Sequence, residues 1–70
     1  MALEAELRTF EREKSALLAR DEGRFVLVAG RALLGVYDTY ADALAAGYEK
    51  RRLRPFLVKR IEMLEIPAVI

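Results

Sequence analysis

The spacing of apolar residues along this chain changes three times, and each change marks an element. From residue 2 to about 21, Leu3, Leu7, Phe10 and Leu17 recur at intervals of four, three and seven, the spacing that gathers side chains on one helical face. Lys14 stands where a strict heptad would be apolar, so the stripe is narrow. The segment lacks Gly and Pro and is rich in Ala, Leu, Glu, Arg and Lys, all strong helix formers. Glu4 and Glu6 suit the positive helix start, and Gly23 follows where a left-handed cap is wanted. A helix this long exceeds what a small sheet covers, so part or all of its stripe is expected to pack on a second copy.

From Arg24 the period falls to two. Gly30-Arg31 reads as a two-residue turn between strands Arg24 to Ala29 and Ala32 to Tyr37. In that register Phe25, Leu27 and Ala29 share a face with Ala32, Leu34 and Val36. The other face carries Arg24, Val26, Val28, Leu33, Gly35 and Tyr37, and it too is mostly apolar. A sheet with two apolar faces needs cover on both. The second face is expected to meet either the first helix or another subunit.

Helical spacing returns at Thr39-Tyr40-Ala41-Asp42, which matches the Thr-x-x-acid capping box. A second helix is predicted from Tyr40, with Ala41, Leu44, Ala45 and Tyr48 as its stripe and Gly47 as a weak point near its end. After a loop from Arg51 to Arg54, Pro55 to Ile61 reads as a third strand that begins on a proline, where no ladder bond is lost. The first strand is the natural centre. The expected fold is α+β, in the order α-β-β-α-β, with a three-stranded, mainly antiparallel sheet of order 2-1-3, packed by two helices and completed by oligomerisation. Residues 1 to 63 form one domain, and the apolar tail from 64 to 70 is an expected interface arm.

Length and composition strengthen the case for assembly. A chain of 70 residues buries only about 60% of the surface its unfolded form exposes. It has no cysteine for a disulfide and no histidine or cysteine for a structural zinc site, so association is the remaining common support. The expected oligomer interface is Leu3, Leu7, Phe10, Leu17, Val26, Val28, Leu33, Ile66, Val69 and Ile70. No apolar run approaches the roughly 18 residues of a membrane helix, and the acidic start Met-Ala-Leu-Glu-Ala-Glu is unlike a secretory signal. A cytoplasmic protein without a membrane partner is the expectation.

By residue 39 the chain resembles a family of short bacterial proteins that has no assigned reaction. The likeness rests on Phe25-Val26-Leu27-Val28, Gly30, Gly35-Val36-Tyr37-Asp38-Thr39-Tyr40, Asp42-Ala43-Leu44, Ala46-Gly47-Tyr48 and Pro55-Phe56-Leu57-Val58-Lys59, and covers about residues 3 to 61. It implies a helix ahead of a strand-strand-helix-strand unit. It also points loosely to a retropepsin-like aspartyl protease, encoded nearby, as a partner. The chain departs from the family pattern at Arg31-Ala32-Leu33-Leu34, where relatives more often carry acids, and in its apolar tail.

Charge and chemistry change the picture less. The net charge is +1, yet residues 1 to 22 hold six acids against four bases, while Lys50, Arg51, Arg52, Arg54, Lys59 and Arg60 lie in a stretch without an acid. With Tyr48 nearby, and Tyr37 and Tyr40 as further rings, these bases form the alternative reading, a nucleic-acid-binding surface. A solvated basic loop or a contact with an acidic helix of another subunit is the plainer account. Without histidine or cysteine, the one serine, Ser15, has no evident activator. Asp38 and Asp42 are better read as strand end and cap than as metal ligands. Neither a phosphate-loop pattern nor a cofactor motif occurs. No enzyme, cofactor or metal is expected.

Overall fold

The computed structural model describes residues 3–63; the apolar tail, with Ile66, Val69 and Ile70, lies outside them. The elements are α1 (Glu4–Asp21), β1 (Phe25–Ala29), β2 (Ala32–Tyr37), α2 (Tyr40–Arg51) and β3 (Leu57–Arg60). The sheet order is β2-β1-β3, and both neighbours run antiparallel to β1. This is the expected α+β arrangement. β3 is shorter than the predicted Pro55 to Ile61, but pairing continues beyond it. The Ile61 N–H donates to the Arg24 carbonyl at 2.8 Å, and the Gly23 N–H, at φ +91, donates to the Ile61 carbonyl at 2.7 Å.

The hairpin differs from the uniform register in one respect. Ala29 pairs with Ala32 and Val28 with Leu33, but Leu27 then faces Gly35, Val26 faces Val36 and Phe25 faces Tyr37. Leu34 is an extra residue on β2, a bulge that moves everything after it by one place. Val36 thereby joins Val26 and Val28 on one face, and Gly35 and Tyr37 join Phe25 and Leu27 on the other.

Each face has its own helix. α1 and α2 pack against the strands and not against each other, so the sheet lies between them. On the α1 side Phe10, Leu17, Val26, Val28 and Ile61 are enclosed, with Leu18, Val36 and Leu57 against them. Phe10, Leu17, Val26 and Val28 are therefore core residues of the single chain and have no surface to offer an oligomer interface, contrary to the expectation; the first helix supplies the missing cover. Of the remaining expected interface residues in the described range, Leu3 is half-buried, Leu7 is 45% exposed and Leu33 is 37% exposed. Lys14, which breaks the stripe, places its ammonium 5.9 Å from the Phe10 ring centre, and Lys59 does so at 5.8 Å. Cations fit over an aromatic ring at that range.

The turn between β1 and β2 is gripped by α1. Gly30, at φ +60, donates its N–H to the Glu6 carboxylate at 2.6 Å. The Thr9 hydroxyl lies 2.7 Å from the Gly30 carbonyl and 2.9 Å from that of Ala5, sharing one proton between them. Arg12 reaches the Arg31 carbonyl at 3.3 Å. Glu6 and Thr9 are buried, although both look like surface residues of an amphipathic helix.

On the other face, Thr39 caps α2 as predicted, its oxygen accepting from the Asp42 N–H at 3.0 Å. The packed face of α2 is rotated from the predicted stripe: Ala43 and Gly47 are buried, whereas Ala41, Ala45 and Tyr48 are exposed. The reason is Phe56, whose ring lies on the bare backbone of Gly47. A Cβ at residue 47 would fall 2.6 Å from Cζ and 2.7 Å from Cδ1 of that ring. Gly47→Ala should thus lower stability by about 1–2 kcal/mol, because displacing the ring outweighs the gain of about 1 kcal/mol in helix propensity. In a Phe56→Ala background the same substitution should stabilise. Urea unfolding of the four chains of this cycle checks the change of sign.

Candidate functional site

Outside the core, the bases gather at one corner, where α2 ends. The Arg52 N–H donates to the Tyr48 carbonyl at 2.9 Å, and the Arg54 N–H to the Arg51 carbonyl at 2.9 Å; the first bond ends the helix and the second closes a turn through Arg52 and Leu53. Arg52 has φ +54 and ψ −112, in a region where a Cβ is strained and glycine is usual. An arginine is held there instead.

Tyr48, Lys50, Arg51, Arg52, Leu53 and Arg54 line an open depression of about 760 Å³. Leu53 is fully exposed, at 101% of its reference area, and Tyr48 is 61% exposed. The Tyr48 ring meets Phe56 edge to face, with centroids 5.4 Å apart at 90°. The Arg51 Nε is enclosed and makes no hydrogen bond among the described residues. Lys50 and Arg51 lie in the last turn of α2, where cations offset the negative end of the helix dipole. That dipole gives no reason for Arg54 beyond the helix or for an uncovered leucine between the bases.

Of the residues in the nucleic-acid alternative, Tyr48, Lys50, Arg51, Arg52 and Arg54 come together here, and Lys59 and Arg60 do not. Lys59 lies over Phe10 on the α1 side, and Arg60 meets Glu62 at 3.6 Å. The three tyrosines form no common platform. Tyr40, at the opposite end of α2 from Tyr48, packs edge to face on Phe25 with centroids 6.1 Å apart. Tyr37 lies over Gly35, where an added Cβ would come 2.7 Å from its hydroxyl oxygen.

A second surface is the outer edge of β2, which has no strand beside it among the described residues. Its six residues, Ala-Leu-Leu-Gly-Val-Tyr, carry no charge. Arg31 and Asp38 flank them, both exposed. Asp38 accepts from the Arg24 Nε at 2.8 Å, and Asp21 from the Arg24 Nη1 at 3.0 Å. The hydrogen bond that Arg24 donates to Asp21, followed by the one it donates to Asp38, raises the pKa of its guanidinium above the ordinary value. Asp38 thus belongs to an ion pair and Asp42 to the helix start. Among the described residues no group of three His, Cys, Asp or Glu side chains is placed to hold a metal ion. Ser15 is exposed on α1.

Compared with family models, curated proteins and solved structures, the chain matches none.

Proposed function

We propose that this chain is a small, non-enzymatic interaction module that assembles with a second copy through the outer edge of β2. The observation that carries the reading is the composition of that edge. An unpaired strand presents free N–H and C=O groups and is normally protected by charges or proline. β3, the other edge, has Lys59 and Arg60; β2 has neither charge nor proline along its length. Its ends are also self-complementary. Two β2 strands laid antiparallel bring Arg31 of one protomer toward Asp38 of the partner subunit, and the same pair recurs at the other end. The bulge at Leu34 interrupts the edge, which favours a short, reversible contact over a permanent sheet. The absence of histidine and cysteine supports a role in binding rather than in a reaction.

Sedimentation equilibrium from low to several hundred micromolar should show a mass rising above 8.0 kDa. Leu33→Lys, at an exposed position of β2, should return the chain toward the monomer by at least about tenfold in dissociation constant, as an edge lysine opposes strand addition. A chain that stays at its monomer mass at every concentration removes this reading.

A further inference from the structure

We infer that the corner at the end of α2 seats the protein on an anionic lipid surface, with Leu53 entering the headgroup layer and Lys50, Arg51, Arg52 and Arg54 engaging lipid phosphates and carboxylates. Among the described residues no helix is long and apolar enough to cross a membrane, so the contact is one of adsorption. Three observations point to it. Leu53 is uncovered on all sides, although it sits in a turn closed by the backbone bond from the Arg54 N–H to the Arg51 carbonyl, directly after the last bond of the helix. The residue that turns the chain, Arg52, holds a conformation that glycine would adopt at less cost, and strain of this kind is kept where surrounding structure and function require it. Beside the apex, Tyr48 exposes an aromatic ring with a polar tip, the side-chain type enriched at membrane interfaces.

A bilayer suits this shape better than a nucleic acid does. Four bases attract either polyanion. An isolated aliphatic apex, however, gains little against stacked bases, whereas an interface admits it without a preformed pocket. Base recognition on a single strand calls for several stacking rings, and only Tyr48 of the three tyrosines is at this corner.

The test is co-sedimentation of the full chain with phosphatidylcholine vesicles with and without phosphatidylserine, at low and high salt. Binding should require phosphatidylserine and weaken as salt rises. Lys50→Gln with Arg54→Gln should lower the partition coefficient about 25-fold, at about fivefold per charge, and Leu53→Ser about tenfold. Circular dichroism should show all variants folded, since these side chains are exposed. Absence of binding to phosphatidylserine vesicles at low salt overturns the proposal. So does binding that Leu53→Ser leaves unchanged, or tighter binding to a single-stranded oligonucleotide than to the vesicles at equal salt.

Discussion

Phe10→Ala should lower the unfolding free energy by about 3–5 kcal/mol, the loss typical of removing an enclosed aromatic ring. A domain of this length has a total stability of only about 3.5–10 kcal/mol, so the variant should be at or near the threshold of folding at 25 °C. The magnitude follows from position. Phe10 is completely enclosed and is the largest fully buried side chain. It touches the layer formed by Val26, Val28 and Ile61, with Lys14 and Lys59 over its ring. Phe10→Leu keeps most of the volume and should lose no more than about 1.5 kcal/mol. Urea denaturation followed by circular dichroism separates the two. A loss under about 1 kcal/mol for the alanine variant would mean that α1 does not close this face of the sheet.

Glu6→Ala should cost about 1.5–3 kcal/mol, the range for a hydrogen bond to a charged group whose partner is then left without one. The bond is short, 2.6 Å from the Gly30 nitrogen, and Glu6 is only 8% exposed, so water replaces the carboxylate poorly. Thr9→Val should lose about 1 kcal/mol by the same logic. Because both side chains hold the two ends of one peptide-bonded residue, Gly30, their losses should not add. A double-mutant cycle by thermal or urea unfolding should return a coupling of at least about 0.5 kcal/mol. Additive losses would show that the two contacts act separately.

These two residues also show what the amino-acid order conveys and what it does not. The order of elements was legible because its signals are local: runs of helical spacing and of period two, a Thr39 cap within three residues of its donor, a Gly at the turn. Sheet order was legible too, since β1 is the most uniformly apolar strand. The bulge was not. From Ala32 to Val36 both faces are apolar, so alternation cannot tell one register from the next. The grip on Gly30 was hidden for a different reason: Glu6 and Thr9 meet it across 24 and 21 residues, and a polar residue on a helix reads as solvated until its partner is known. Val26 and Val28 read as interface residues because both sheet faces need cover, but a helix lies on each face and α1 covers theirs. Of the basic segment, the run itself was visible. Its division into a corner and a strand depended on where α2 ends and on how Phe56 turns the helix through Gly47.

Because α1 and α2 make no contact with each other, neither helix holds the other on the sheet. α2 and the three strands form a continuous stretch of chain from residue 25 to 60, while α1 precedes it. It is fastened at one end through Glu6, Thr9 and Arg12 to the hairpin turn and at the other through Asp21 to Arg24. Excursions in which α1 lifts away would leave the hairpin intact but expose Val26, Val28 and Val36 as one smooth aliphatic surface next to a strand edge that is unpaired among the described residues. Freeing the helix would thus uncover an adhesive apolar surface, and the polar fastenings at its two ends oppose that opening.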